Sequence, residues 1–228
     1  MIGIIGAMQI EVESIIELMQ AAEIEAFAHI KFYKGKINES NCVVSVCAPG
    51  KVNAAVCAQL MITKYNPEVI INVGVAGSLE ADIRIGDVVV ADSVMQHDVD
   101  TTAVGDERGF ISGLGLVKIP CEKDVTEKIK SATAQLNEHP HVGCVATGDQ
   151  FISNKEKLRD IKNTFKAVAC EMESGSIGQV CAMNSVKFAA LKVISDNADE
   201  GSCMDYEKFK ILAAQKISKI IAKAIFSF

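Results

Sequence analysis

The run Ala169-Cys170-Glu171-Met172-Glu173-Ser174-Gly175, followed by Val193-Ile194-Ser195-Asp196-Asn197-Ala198-Asp199, decides how this chain is read. Val168-Ala169-Cys170 has the apolar character of a buried strand, and Ser174 through Cys181 reads as a helix. Lys187 through Ile194 is the next strand, with Asp196 just past its end. Three acids, Glu171, Glu173 and Asp196, therefore stand at the ends of apolar runs. In an open α/β sheet those ends are where ligands are met. Taken alone, Glu173 reads equally well as a favourable charge at a helix N-terminus; its acidic neighbours favour a site.

Outward from this stretch, strands and helices alternate. Ile2 through Gly6 is a short buried strand, and Ala7 to Glu11 turns into a helix with Val12, Ile15, Ile16 and Met19 inward. Strands follow around Ile30–Tyr33 and Cys42–Cys47. Lys51–Tyr65 reads as a helix with Val52, Ala55, Val56 and Leu60 inward. Val69 through Val73 is a β-branched strand running into Gly74-Val75-Ala76-Gly77, and Asp87–Met95 is another. His97 to Gly115 is polar, glycine-rich and aperiodic, which argues against an element there. Helices at Asp124–Leu136 and Asn154–Asn163 flank a strand at Val142–Thr147. In the last helix, Tyr206–Phe226, one face carries Phe209, Leu212, Ala213, Ile217, Ile220, Ile221 and Ala224. Without repeats or linkers, this predicts one domain, residues 1–228, of class α/β: a three-layer αβα sandwich. The strand-rich middle points to a mixed central sheet.

Composition narrows the function. The 228 residues are 49% hydrophobic with a formal charge of -6, which argues against nucleic acid or an anionic membrane as partner. Only Arg84, Arg108 and Arg159 could act as planar phosphate clamps, so a phosphate-rich ligand is disfavoured. Eight cysteines sit mostly within apolar runs and form no Cys-x-x-Cys pair, as expected of reduced, buried thiols in a cytoplasmic protein. No signal-type segment or bilayer-length apolar run is seen.

Gly3-x-x-Gly6 and Gly74-x-x-Gly77 both lie at strand tips. Neither completes a dinucleotide fingerprint: the first lacks its middle glycine, and the second opens no long helix. Their expected use is to let a ligand come close to the backbone. There is no phosphate-binding Walker loop, no serine elbow and no His-Glu-x-x-His. His139 and His141 share an expected loop near Glu138 and Cys144, without metal-ligand spacing. No metal and no cofactor are expected.

Seven short segments in order resemble the bacterial 5′-methylthioadenosine/S-adenosylhomocysteine nucleosidases, of the nucleoside phosphorylase superfamily. They are Gly3-Ile4-Ile5-Gly6-Ala7-Met8 with Glu11, Asn72-x-Gly74-x-Ala76-Gly77, Gly86-Asp87-Val88-Val89, His97-Asp98, Gly148-Asp149-x-Phe151-Ile152, Glu171-Met172-Glu173 and Ser195-Asp196-x-Ala198-Asp199. The resemblance spans residue 2 to the final helix. It implies hydrolysis of an adenine N-glycosidic bond, a homodimer, and a small-molecule adenine nucleoside as substrate.

By this resemblance Asp196 is the general acid that protonates adenine N7, and Glu11 the general base that activates water. Such an acid must keep its proton near neutral pH, and Glu11, Glu171 and Glu173 are expected to supply the repulsion. The first-turn position of Glu11 is expected to favour its ionised form. Glu173 matches the ligand of the ribose hydroxyls, with Met172 packed on the sugar. Gly77 and the backbone of Ile152 match contacts to the ligand, and Phe151 stacks on the base. Met8, Val104 and Tyr206 are expected around the 5′ substituent. The acid–base logic parallels glycoside hydrolysis.

The chain departs from the family pattern at several places. Val75 stands where a serine is frequent, Lys192 where an arginine is, and Pro49 where an aliphatic residue is. Val104 and Asp106 replace aromatic residues that a partner subunit contributes to the 5′ pocket, and Tyr206 stands for a phenylalanine. These changes bear on substrate range and rate. Two alternatives remain: a phosphorylase of the same fold and a nucleoside-binding protein without catalysis. A phosphorylase would need basic groups or a free nest of N–H groups in the first loop, where this chain has Gln9 and Glu11. It would also place arginine where Asn72 stands. A pure binder would be expected to have lost Asp196 or Glu11. Among nucleosidases, a futalosine-type adenine nucleoside or 5′-deoxyadenosine would also fit.

Overall fold

The computed structural model describes residues 1–198 and 202–228, with side chains described for all of these except 202–208. In chain order the elements are β1 (Ile2–Gly6), α1 (Gln9–Glu17), β2 (Gln20–Phe27), β3 (Ile30–Ile37), β4 (Ser40–Val46), α2 (Lys51–Tyr65) and β5 (Val69–Ser78). There follow β6 (Val88–Gln96), a 3₁₀ turn at Thr102–Val104, β7 (Ile119–Pro120), α3 (Lys123–Ala134) and β8 (His141–Thr147). The chain ends with α4 (Lys155–Phe165), β9 (Ala167–Glu171), α5 (Ser174–Met183), β10 (Lys187–Asp196) and α6 (Ser202–Ile225). It is a mixed α/β fold about one central sheet.

The central strands are buried on both sides, as continuous β-branched runs require. Successive residues feed two cores. Ile2, Ile4, Ile71 and Val73 join one face with Ile15 of α1, Ile129 of α3 and Ile217 of α6. Ile5 and Ile70 join the other with Cys57 and Met61 of α2 and Ile177 of α5. The order is β10-β6-β8-β9-β5-β1-β4-β3-β2, with β7 on β6. Strand β10 also pairs with β5, so β5, β10, β6, β8 and β9 close into a ring. Parallel pairs such as β1–β5 and β5–β10 mix with antiparallel ones such as β6–β10 and β5–β9.

Several sequence expectations need correction. Helix α2 has the expected bounds, but its inward face is Ala54, Cys57, Ala58, Met61 and Tyr65. Val52 and Val56 are 74% and 41% exposed. The helix is apolar nearly all round, so side-chain size chooses the face: small residues let it lie against the sheet and α5. Leu212, expected inward on α6, is exposed, whereas Ala213, Ile217, Ile220 and Ile221 are buried. His141 opens β8 rather than sharing a loop with His139. Strand β10 runs on through Asp196, which was expected just past its end, and β2 was not foreseen. No described helix is long and apolar enough to cross a membrane.

Candidate active site

Glu11 enters the site from the first turn of α1. Its Oε2 accepts the backbone N–H groups of Ala7 at 2.8 Å and Met8 at 2.9 Å, and its Oε1 accepts that of Val75 at 3.1 Å. The carboxylate thus fills the nest of donors that opens the helix. It is 3% exposed. Burial pushes its pKa above the ordinary 4.5, against the pull of the Lys192 ammonium and the three N–H groups. The helix-start position alone had suggested the opposite shift; the cost of dehydration outweighs it.

Glu171 ends β9, and its two oxygens are fully occupied by the protein. They accept the Thr147 hydroxyl, the N–H of Glu173 at 3.0 Å and the N–H of Ser174 at 2.9 and 3.1 Å. Lys192 Nζ lies 2.9 Å from Oε2, and both side chains are almost wholly buried. Burial raises the Glu171 pKa, but Lys192, Thr147 and Ser174 outweigh it and hold the group below its ordinary value. Glu173 lies two residues on, at the head of α5, and accepts the N–H of Gly50 at 2.8 Å. Burial and then the nearby Glu171 raise its pKa. The acidic cluster expected from sequence is therefore present, but Glu171 in it is neutralised by Lys192.

Asp196 is 3% exposed at the tip of β10. Its Oδ2 accepts the Ser195 hydroxyl at 2.9 Å and its Oδ1 the N–H of Ala198 at 2.9 Å. Close approach at Gly74 and Gly77 serves these acids themselves. A Cβ on Gly74 would fall 2.7 Å from Glu11 Oε1, and one on Gly77 2.8 Å from Asp196 Oδ1.

One cavity gathers these groups. Its lining includes Met8, Glu11, Gly77, Phe151, Ile152, Met172, Glu173 and Asp196, eight of the ten residues given a place in the site from sequence. Phe151 is half-exposed at its rim. Tyr206 belongs to α6 with its side chain outside the described residues. Pro49 and Val75, two of the family departures, also line the cavity. Val104 is exposed on the 3₁₀ turn and is not part of the lining. Among the described residues no group of three or more His, Cys, Asp or Glu could hold a metal ion.

Sequence reading had no role for the frame behind the acids. Asn72 donates to the Ile5 carbonyl at 2.9 Å and accepts the Ser174 hydroxyl at 2.7 Å, tying β5 to β1 and to the head of α5. Thr147 joins the same helix start through the N–H of Gly175 at 2.7 Å. Lys192 had been noted only as a departure. Its signal was available: a lysine between Leu191 and Val193 in a buried run requires a buried anion.

Residues 1–226 match the family described as the phosphorylase superfamily. A 5′-methylthioadenosine/S-adenosylhomocysteine nucleosidase of Staphylococcus aureus is 39% identical over 223 residues, 97% of each chain. Among solved structures, the corresponding nucleosidase of Neisseria meningitidis, in complex with methylthio-immucillin-A, is 30% identical. It superposes with a TM-score of 0.97 over 100% of this chain and 99% of that one. Futalosine hydrolase of Helicobacter pylori is 32% identical, with a TM-score of 0.96 over 100% and 97%. The chain belongs to the phosphorylase superfamily and, within it, to the 5′-methylthioadenosine/S-adenosylhomocysteine nucleosidases.

Proposed function

We propose that this protein hydrolyses the N-glycosidic bond of 5′-methylthioadenosine and S-adenosylhomocysteine, releasing adenine and the 5′-thio-substituted ribose. The observation that carries the reading is the place of Glu11. Its carboxylate fills the N–H nest at the head of α1, on the wall of a cavity that Asp196 also lines. A phosphorylase would use such a nest for phosphate. Here Ala7 and Met8 donate to Glu11, and Asn72, where that enzyme would place arginine, is tied to Ile5 and Ser174. Water is the nucleophile this arrangement suits.

In this reading Asp196 delivers a proton to adenine N7, so that the base leaves neutral as the sugar gains oxocarbenium character. Glu11, ionised, takes a proton from the attacking water. Glu173 accepts the ribose hydroxyls and Met172 packs on the sugar. Phe151 stacks on adenine, while the backbones of Ile152 and Gly77 fix its edge. Met8 and Tyr206 meet the 5′ group.

The wider organisation belongs to the same proposal: one three-layer αβα domain, residues 1–228, acting as a cytoplasmic homodimer in methionine salvage. Among the residues with described side chains, seven buried, unpaired cysteines fit a reducing compartment. The exposed Val52, Val56, Val104 and Met183 are apolar surface that a second copy would cover.

A substrate panel tests the reading. The apolar Met8 at the cavity offers a 5′-phosphate no cation, and an unpaired buried phosphate costs several kcal/mol. We expect high kcat/KM for 5′-methylthioadenosine and S-adenosylhomocysteine, lower for adenosine and none for AMP, with 5′-deoxyadenosine and futalosine as further arms. AMP cleaved as fast as the thioethers would overturn it.

A further inference from the structure

Lys192 lies in the interior of β10 and is 1% exposed, between Leu191 and Val193. An ammonium in such surroundings persists only with a close anion. Glu171 supplies it, 2.9 Å away. Strands β10 and β5 run parallel with Lys192 opposite Gly74. Opposed residues of neighbouring strands project to the same face. On that face, where a side chain at Gly74 would begin, lies the carboxylate of Glu11, with Oε1 2.7 Å from the Cβ position. The carboxylate, reaching in from α1, therefore lies beside the strand position next to Lys192, on the face to which the lysine projects.

Glu171 itself is held from three sides. Thr147 and the N–H groups of Glu173 and Ser174 use its oxygens, so it offers a ligand little that is not already engaged. Although Glu171 lines the cavity, its geometry is that of a fixed counter-ion. We propose that Glu171 is a positioning residue: its carboxylate fixes the buried Lys192 ammonium, and that ammonium is the counter-charge on which Glu11 relies when it acts as base. This rests on the reading of Glu11 as the base.

The charges agree in sign. Lys192 opposes the effect of burial on Glu11, while Glu11, Glu171 and Glu173 together overcome burial and keep Lys192 cationic. The titratable groups facing the network are Glu11 from α1, Glu171 and Glu173 from β9 and the turn into α5, and Asp196 from β10. The Cys47 and Cys170 thiols are pushed well up, chiefly by burial, and contribute no charge near neutral pH.

Four variants of the full chain test the pair: Lys192→Met, Glu171→Gln, both together, and Lys192→Arg. Two readouts are taken: the acid limb of kcat/KM with 5′-methylthioadenosine, and the Glu11 carboxyl titrated by ¹³C NMR on glutamate-labelled protein, its signal identified with Glu11→Gln. Lys192→Met should move both upward by about one to two pH units, the usual effect of a nearby opposite charge. Glu171→Gln, which keeps an oxygen for the Ser174 N–H, should move both downward. The double variant still lacks the ammonium that Glu11 needs, but also the Glu171 charge, and should move both upward by less than Lys192→Met does. Lys192→Arg should leave the limb in place. If the single variants move neither readout, or move both in the same direction, the proposal fails, and Glu171 is only a helix-start brace. If the wild type releases no adenine while the NMR shifts occur as expected, the counter-charge stands and the catalytic reading of Glu11 falls.

Discussion

In the proposed reaction one proton travels towards adenine and another away from water, each through a single side chain. Asp196→Asn keeps an acceptor for the Ala198 N–H but has no acidic proton to give. It should bind substrate with near-native affinity and lose about two to four decades of kcat. Calorimetric binding beside an adenine-release assay checks this, and near-native turnover would remove Asp196 from the role. Glu173 makes a different prediction, about stability. Its pKa in the fold lies above the unfolded value of 4.5, through burial and the proximity of Glu171. The folded state therefore holds this proton more tightly than the unfolded one. Sign follows: stability is lost as pH rises from the unfolded pKa through the folded one. Glu173→Gln cannot ionise, and its oxygen can still accept the Gly50 N–H. The variant should melt above wild type at pH 8, with the gap closing by pH 4.5, while KM rises. An unchanged difference in Tm across that range would contradict the assigned shift.

Between elements, the junction of β5 and β10 is closely packed. Their register slips between Ile194 and Asp196, and Gly77 faces Asp196 there. A methyl group on Gly77 would fall 2.8 Å from Asp196 Oδ1 and 3.1 Å from Ala198 Cβ. Gly77→Ala should cost about 1–3 kcal/mol of stability. It should also lower kcat on the order of 100-fold by displacing the acid. Native kcat with this substitution would show that Asp196 need not sit where it does. The strands that build this junction were legible because Val69–Val73 and Lys187–Ile194 are largely apolar, broken within only by Asn72 and Lys192. Strand β2 was not, because Gln20–Phe27 is an exposed edge strand of alanines and glutamates whose existence depends on pairing with β3. The face of α2 was misread for a related reason: valine and leucine outrank alanine in any hydrophobic pattern, yet close packing selected Ala54 and Ala58. Ring closure of β5 with β10, β6, β8 and β9 arises from distant pairings that no local pattern encodes. The acids were visible as charges interrupting apolar runs. The opposite pKa shifts of Glu173 and Glu171 were not, since they depend on burial and on Lys192 lying beside Glu171.

Across the whole molecule, the outward faces of α2 and α5 carry Val52, Val56 and Met183, with Val104 exposed on the 3₁₀ turn. If a second copy covers them, the double substitution Val52→Glu and Val56→Glu should yield monomers in sedimentation and, with the 3₁₀ turn no longer over a neighbouring pocket, a raised KM. A wild type that sediments as a fully active monomer would refute the homodimer. The reaction itself is decided by the fate of the ribose. The most direct measurement incubates the purified protein with 5′-methylthioadenosine, with and without inorganic phosphate, and identifies the sugar product by mass. Glu11 in the nest predicts adenine and 5-methylthioribose at a rate indifferent to phosphate. Phosphate-dependent release of 5-methylthioribose 1-phosphate would contradict the account.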